Sequence, residues 1–390
     1  MKPNTAVQPL VLDSFVIERP VHETAQAASL AWLAAAHAEA EASVTLDSSF
    51  DRLAFEQQLA RVMGRVACGP DRIARRGHVL DDFLHREWDR MQVYAVRKDA
   101  SGLGTGARSR LFRDVVLDYF RRTYEDVVDP PGDIVHVTCT GYVSPSGAQQ
   151  LVSERGWGSR TRVTHAYHMG CYAALPALRI AAGAFYAPTA LRSVGARVDI
   201  VHTELCSLHL DPRRHDLEQL VVQSLFADGF ARYSASLGSD RPGLGVLSMD
   251  ERIVPGSTGD MSWIASDHGM EMTLSRDVPA RIAAELRDFV TSLYRRAGFE
   301  VAAHLARSAF AIHPGGPKIV DGVGRALELT AAQLAPSHGV LRDHGNMSSA
   351  TLPHVWARLL DDTTCASGTL VCSLAFGPGL TLCGALFRKQ

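Results

Sequence analysis

The 390-residue sequence predicts an α/β fold built from two similar halves, because short strand-like segments alternate with helical ones twice along the chain. In the first half, the strand-like segments are DIVHVTCTG, RVTHAYHMG and ARVDIVHTELCSLHL. The second half repeats the alternation with the helical segment RIAAELRDFVTSLYRRAG, the strand and turn FAIHPGG, and the helical segment GPKIVDGVGRAL. We therefore expect one half over residues 1–240 and a second over residues 241–390.

The remaining segments are assigned in chain order. After a first strand-like segment, helical patterns dominate residues 23–97, and RSRLFRDVVLDYFRRTYEDVV is an amphipathic helix. The turn-rich segment PGLGVLSMDERIVPGSTGDMSWIASDHG is expected to connect the halves. Residues 370–387 are nearly all apolar, but the central GPG breaks a spanning helix and predicts two buried strands joined by a turn.

Composition excludes several classes of protein. Hydrophobic residues make up 46% and charged residues 21%, as in a globular protein that does not enter a membrane, and a net charge of −2 gives no basis for nucleic-acid binding. Residues 1–20 have no continuous apolar core of signal-peptide length and carry acidic residues early, so we expect no signal peptide there. The seven cysteines are widely spaced without a CxxC pair, which predicts neither disulfides nor a metal site and favours a cytoplasmic location.

The segment HMGCYAALPALRIAAG places Cys171 in front of an apolar helix. The N–H groups and positive dipole at a helix N-terminus favour a thiolate, which is the nucleophilic form of cysteine. The alternative is a small buried residue at a tight junction, since free cysteine is commonly buried.

Two further segments carry reactive side chains, AIHPGGPKIVDGV with His313 and HGNMSSAT with Asn346. Taken alone, the first fits an ordinary turn and the second a helix N-cap. Together with Cys171 they supply a thiol, an imidazole and a carboxamide at strand-to-helix or loop-to-helix junctions. This set suits acyl-thioester chemistry, in which cysteine takes the acyl group and the other two donate to an enolate or thioester oxygen.

At these residues the sequence resembles the thiolase superfamily, and within it the chalcone-synthase-like condensing enzymes, also called type III polyketide synthases. GC before a helix, HPGGP, GNMSSA and FGPGLT occur in the family's order over about the last two-thirds of the chain. The resemblance implies a five-layer αβαβα thiolase-like fold, a homodimer and a catalytic triad of Cys171, His313 and Asn346. It also places an aromatic gatekeeper at Phe226 and an internal acid at Glu204.

The sequence departs from the plant enzymes at two matched positions. Met272 stands where they have a second gatekeeper phenylalanine, and a flexible methionine predicts a cavity mouth that adapts to long chains. His209 stands where they have a small threonine, as either a second acid/base or a satisfied core histidine. The segment YAALPALRI after Cys171 also differs from the glycine-rich form usual in plant chalcone synthases. Together with CTGYVSPSGAQQLV, it looks more like stand-alone ketosynthases that form α-pyrones in myxopyronin- and corallopyronin-type antibiotic assembly.

The resemblance implies that Cys171 accepts a β-ketoacyl chain from an acyl carrier protein and that a second chain attacks it to give an α-pyrone. His313 is expected to pair with Cys171 and keep it ionised. Phosphopantetheine arrives with the carrier, and no resident cofactor or metal is expected. A carrier-docking role is assigned to five arginines, with a solvated helix face as the alternative: Arg61, Arg65, Arg72, Arg75 and Arg76.

Three other functions stay open from the sequence. A conventional type III enzyme would extend an acyl-CoA with malonyl-CoA through the same triad. A non-catalytic acyl-binding subunit would be expected to lack the nucleophile, whereas Cys171 is present. A cysteine hydrolase would need a group that orients the histidine and a path for water.

Overall fold

The computed structural model describes residues 8–187 and 195–390, and within them a nine-stranded mixed sheet forms the centre of the molecule. The strands are β1 (Leu10–Glu18), β2 (His22–Ala25), β3 (Arg75–His78), β4 (Asp133–Thr138), β5 (Arg162–Tyr167), β6 (Arg197–Leu205), β7 (Asp228–Leu237), β8 (Leu244–Ile253), β9 (Met261–Ser266), β10 (Gly269–Leu274), β11 (Ala309–Ile312), β12 (Leu370–Gly377) and β13 (Thr381–Lys389). The helices are α1 (Gln26–Val44), α2 (Arg52–Val66), α3 (Thr105–Thr123), α4 (Gly147–Glu154), α5 (Ala174–Tyr186), α6 (Leu217–Leu225), α7 (Val278–Arg296), α8 (Val301–His304), α9 (Pro317–Leu327), α10 (Ala331–His344) and α11 (Thr351–Asp361).

The order of strands in the large sheet is β11-β12-β13-β8-β1-β7-β6-β4-β5. Strands β4, β5 and β6 pair in parallel, whereas β1, β7, β8 and β13 pair antiparallel with their neighbours. The sheet divides at β1 and β8, which pair through Val11 with Gly245 and through Leu12 with Leu244. The predicted division after residue 240 falls between β7 and β8.

Helices form three layers around the two sections of the sheet. The central helices α5 and α11 contact strands of both sections, and their apolar side chains form one shared core. Helices α1, α3 and α4 pack on the outer face of the first section, while α7 and α9 pack on the outer face of the second. The five-layer αβαβα arrangement predicted from the sequence is confirmed.

Local sequence explains where key helices begin. Helix α4 starts at a capping box, in which the Ser146 hydroxyl accepts a hydrogen bond from the Gln149 backbone and the Gln149 side chain accepts from the Ser146 backbone. Helix α10 starts in the same way at Thr330 and Gln333. Helix α9 carries Pro317 at its first position, where the missing N–H costs no helical hydrogen bond.

Two local predictions were wrong. Residues 23–97 are not mainly helical after α2, because they include β3, a short 3₁₀ helix (Asp81–Leu84) and turns. The segment expected to connect the halves contains β8, which lies inside the large sheet, and β9, which pairs with β10. Apolar and polar residues alternate only weakly along β8, because most of its residues are half-buried on both faces of the strand.

The apolar C-terminal segment forms the two predicted strands. β12 and β13 pair antiparallel along their whole length and close at Gly377 and Thr381. Within residues 8–187 and 195–390, no helix is long and apolar enough to cross a membrane.

Candidate active site

Cys171 lies in the turn between β5 and α5, three residues before the helix begins. Gly170 precedes it with φ +82°, a conformation that favours glycine. A Cβ atom on Gly170 would also lie 2.7 Å from Cδ of Pro378, in the GPG turn between β12 and β13. Glycine therefore lets the Cys171 turn pack directly against the GPG turn.

The surroundings of Cys171 disfavour ionisation of its thiol. Cys171 is half-buried, and its Sγ lies 3.8 Å from Oγ of Ser348. Burial raises the pKa of Cys171 to about 12, although the side chains of Ser348 and Asn346 favour the thiolate. Burial therefore opposes the resting thiolate that the nearby helix end favours, and the ionisation of Cys171 stays a prediction.

His313 follows β11 and is buried as a neutral imidazole. Burial lowers its pKa to about 3, and among the described residues neither ring nitrogen has a hydrogen-bond partner. The expected pairing of His313 with Cys171 is therefore not formed here. Two unpartnered nitrogens in a buried ring leave His313 free to hydrogen-bond a molecule that enters the site.

Asn346 connects the Cys171 and His313 loops. Its Nδ2 donates a hydrogen bond of 3.2 Å to the carbonyl of Gly315, which lies beside the His313 ring. Its Oδ1 accepts a hydrogen bond of 2.9 Å from the backbone of Ser348, whose hydroxyl reaches Cys171. The three predicted triad residues are thus brought to one place by separate loops, with Gly315 and Ser348 linking them.

Cys171 faces a cavity of about 340 Å³ including its open mouth, which we call the Cys171 cavity. The predicted gatekeepers Phe226 and Met272 both line it, and so does Trp263, which the sequence analysis did not single out. The Trp263 ring stacks near Phe226 with centroids 6.3 Å apart, and its Nε1 donates a hydrogen bond of 2.6 Å to the carbonyl of Cys139. The remaining lining residues are Cys139, Thr140, Gly170, Cys206, Met261, Ser262, Ser348 and Pro378.

A second cavity of about 500 Å³, the side cavity, adjoins the first. The two share Cys206, Phe226, Trp263 and Met272 as lining residues. The side cavity is the more polar one, because charged and amide side chains contribute to its wall. Its other lining residues are Arg76, His78, Phe83, Ser207, His209, Leu210, Gln219, Val222, Gln223 and Met270.

His209 lies in the wall of the side cavity with both ring nitrogens occupied. Nε2 donates to the carbonyl of Thr140 at 2.7 Å, and Nδ1 accepts from the backbone of Met270 at 3.2 Å. Burial lowers the pKa of His209 to about 3. Of the two roles left open by the sequence, this geometry favours the satisfied core histidine.

Glu204 lies behind the Cys171 cavity rather than in its lining. Its carboxylate accepts hydrogen bonds from the Cys139 backbone at 3.0 Å, from the Thr140 hydroxyl at 2.8 Å and from the Ser349 hydroxyl. Burial raises the pKa of Glu204. Glu204 therefore fixes the loop after β4 that carries Cys139.

Sequence reasoning missed Cys139 and Ser348. Cys139 Sγ lies 2.9 Å from the Ser348 hydroxyl, so one hydroxyl serves both thiols. Ser348 stands two residues after Asn346, and its place in the GNMSSA segment was a sequence signal that could have identified it. Cys139 directly follows the buried strand β4 and carries no local signal.

The five arginines do not share one surface. Arg61 and Arg65 are exposed on α2, while Arg72 and Arg75 are exposed near acidic side chains. Arg76 is 3% exposed and lines the side cavity, so its assignment to a docking surface is wrong. The helical pattern ends before β3, and the strand alternation then turns Arg76 inward.

Among the residues that the structure describes, no group of three His, Cys, Asp or Glu side chains could hold a metal ion. Cys171 itself lines an apolar cavity, whereas the unpartnered imidazole of His313 and the carboxamide of Asn346 are not among its lining residues and are linked to Cys171 through Ser348 and Gly315. These groups can exchange acyl thioesters and donate hydrogen bonds to a carbonyl or enolate oxygen.

Two family models match the sequence over most of its length. The N-terminal domain of chalcone and stilbene synthases matches residues 121–241, and the C-terminal domain matches residues 246–389. The first match ends in the turn between β7 and β8, and the second begins near the start of β8.

Several characterised proteins are similar to this chain. Type III polyketide synthase C of Arabidopsis thaliana is 29% identical over 70% of this chain and 71% of its own length. The alpha-pyrone synthesis polyketide synthase-like Pks18 of Mycobacterium tuberculosis is 30% identical over 66% of this chain and 64% of its own length. The crystal structure of PKS-I from the brown alga Ectocarpus siliculosus superposes with a TM-score of 0.79 at 22% identity, covering 99% of this chain and 100% of that one. The last similarity concerns the fold.

Proposed function

Since the chain belongs to the chalcone and stilbene synthase family and is a condensing acyltransferase of the type III polyketide synthase kind, we propose that it joins two β-ketoacyl thioesters into an α-pyrone. The observation that carries this proposal is the pair of adjoining cavities, of which one is lined by Cys171 and the other shares four lining residues with it. Joining two finished chains requires space for both, whereas repeated two-carbon extension requires space for one growing chain. The mycobacterial relative is named for alpha-pyrone synthesis, which supports the same product class.

In the proposed first step, the Cys171 sulfur attacks the thioester carbonyl of the first chain. A bond forms between Sγ and the acyl carbon, the carrier thiol leaves, and the proton of Cys171 goes to that thiol. His313 donates a hydrogen bond to the oxygen that becomes negative, whereas Asn346 acts mainly in the second step, on the enolate oxygen. The acyl chain then occupies one of the two apolar-walled cavities.

In the proposed second step, the carbon between the two carbonyls of the second chain loses a proton and attacks the acyl-cysteine. The new carbon–carbon bond forms as Cys171 leaves and takes up that proton. An enol oxygen of the product then attacks the remaining thioester, closes the pyrone and releases the second carrier thiol. Two thioesters thus give one pyrone and two thiols, with no oxidant, reductant or metal.

The proposal includes the phosphopantetheine arm of an acyl carrier protein as the source of both chains, and a homodimer as the working form. Conventional extension of an acyl-CoA with malonyl-CoA is a second candidate, because the Arabidopsis relative is a type III polyketide synthase. The same three residues would serve it.

The two candidates differ in carbon balance. The purified chain is incubated either with paired β-ketoacyl thioesters on carrier protein or with one acyl-CoA and malonyl-CoA, and products and carbon dioxide are measured. We expect a pyrone from the first pair without carbon dioxide. Efficient malonyl-CoA turnover with one carbon dioxide per extension, and no product from the paired thioesters, would replace the pyrone proposal with the conventional one.

A further inference from the structure

The C-terminal end of α6 carries Phe226 and contacts Asn346, so its position bears on both the gatekeeper and the candidate triad. The backbone of Asn346 donates to the carbonyl of Leu225 at 2.9 Å, and its own carbonyl accepts from the backbone of Ala227 at 2.9 Å. Phe226 and Asn346 are therefore paired like residues of neighbouring parallel strands. A movement of one displaces the other.

Helix ends leave carbonyl oxygens without helical partners, and here each of four consecutive carbonyls, at residues 223–226, has a partner from elsewhere in the chain. Arg76 Nη1 donates to the carbonyl of Gln223 at 2.8 Å and to that of Phe226 at 2.9 Å. Gln26 Nε2 donates to the carbonyl of Ser224 at 2.8 Å. The backbone of Asn346 takes the carbonyl of Leu225, so Arg76 holds the helix end on both sides of the link to Asn346.

The charge of Arg76 strengthens this contact. Burial lowers the pKa of Arg76 to about 10, so the guanidinium remains a cation at neutral pH. A cation at a helix C-terminus meets the negative end of the helix dipole, and a buried site screens that attraction little. A Cβ on Gly345, the residue before Asn346, would lie 3.1 Å from Cγ of Arg76, so the arginine stem also packs under the Asn346 loop.

We propose that Arg76 is a positioning residue for carbon–carbon bond formation, which fixes Phe226 and Asn346 relative to each other through the end of α6. This inference rests on the proposed role of Asn346. Acyl loading of Cys171 depends on the separate turn between β5 and α5, so removal of Arg76 affects condensation more than loading. A purely structural arginine would affect both steps alike.

The test compares Arg76→Met, Arg76→Lys and Arg232→Met with the native chain. Arg232 is the matched control, since it also donates to a backbone carbonyl, that of Thr123, and lies over the Tyr124 ring away from both cavities. Loading is measured by intact mass after one acyl thioester, and condensation by product formation from the loaded protein. Circular dichroism and thermal melting establish that each variant is folded.

We expect Arg76→Met to load Cys171 within about twofold of the native rate while condensation falls about 100-fold, the effect of a misplacement of roughly 1 Å. Arg76→Lys, which keeps the positive charge and an N–H donor group, should condense about tenfold faster than Arg76→Met. Arg232→Met should change the two steps by the same factor. If Arg76→Met does not fold, Arg76→Lys and Gln26→Ala carry the test, because each weakens the same helix end less.

Equal loss in both steps, or no loss in condensation, would overturn the positioning role. Asn346→Ala is measured in parallel to separate this result from the proposed function. If Asn346→Ala keeps full condensation, the assignment of Asn346 is wrong. If Asn346→Ala loses condensation while Arg76→Met keeps it, the inference about Arg76 alone is wrong.

Discussion

The ionisation state of Cys171 can be tested by alkylation as a function of pH. Burial raises the pKa of Cys171 from an ordinary value near 9 to about 12. At any pH below 9, the thiolate is therefore about 1,000-fold less populated than in an unperturbed thiol, since each pH unit is a factor of ten. Below pH 10 the thiolate population, and with it the rate of alkylation, should rise about tenfold for each pH unit.

The assay treats the free protein with iodoacetamide between pH 6 and pH 10 and follows the Cys171 peptide by mass spectrometry. A short unstructured peptide with one cysteine serves as the reference, and its alkylation rate should bend as the pH passes its pKa of about 8.5. The slope, rather than the absolute rate, is the readout, because partial burial of Cys171 slows the reagent at every pH. His313→Ala should leave the slope unchanged, since no hydrogen bond joins His313 to Cys171 among the described residues.

A rate that levels off below pH 8 would refute this reasoning. It would mean that a thiolate is already formed at neutral pH. Loss of that plateau in His313→Ala would then restore the ion pair expected from the sequence.

Three further predictions concern the Cys171 turn, the cavity wall and the exposed arginines of α2. Gly170→Ala should lower the free energy of unfolding by at least about 1 kcal/mol, since an L side chain at φ +82° is strained, and thermal melting measures this loss. The same substitution should slow acyl loading because its Cβ meets Pro378; intact mass measures the loading rate, and an unchanged rate would contradict the packing argument. Met272→Phe should slow condensation of long chains while sparing short ones, because Met272 lines both cavities. Rates with a series of thioesters of increasing length test this prediction, and equal slowing at every length would count against a gatekeeper role for Met272. Charge reversal of the exposed pair Arg61 and Arg65 should raise KM for carrier-bound substrate in a salt-dependent way, whereas a solvated helix face predicts no change in KM or in its salt dependence.

The layered fold was predictable because its main signals are local. Alternating strands and helices predict an α/β fold, and the apolar C-terminal segment broken by GPG predicts the β12–β13 pair. β8 was missed because half-burial on both faces removes the period of two that marks a strand. Arg76 was misplaced because the change from helix to strand between α2 and β3 leaves little signal in the sequence.

Motifs predict the candidate triad, but they do not determine the protonation states of its residues. Proximity to a helix favours a thiolate at Cys171, whereas burial opposes it, and only the three-dimensional environment determines which effect is larger. The same holds for His209, whose two nitrogens are occupied by groups far away in sequence, Thr140 and Met270. Long-range contacts of this kind carry no sequence pattern that one chain can reveal.

A neutral thiol and a neutral imidazole are a physically reasonable resting state for a cavity that admits apolar chains. A permanent thiolate and imidazolium would bury two charges, and their attraction often fails to offset the cost of desolvating both. His313 keeps two unpartnered nitrogens within the described structure, and Cys171 has a weak contact of 3.8 Å to Ser348. An entering thioester carbonyl can take the hydrogen bonds that the free site leaves unmade, so the unsatisfied imidazole becomes satisfied as the oxygen gains charge. The site is then more complementary to the reacting thioester than to the empty cavity, which is the condition for catalysis.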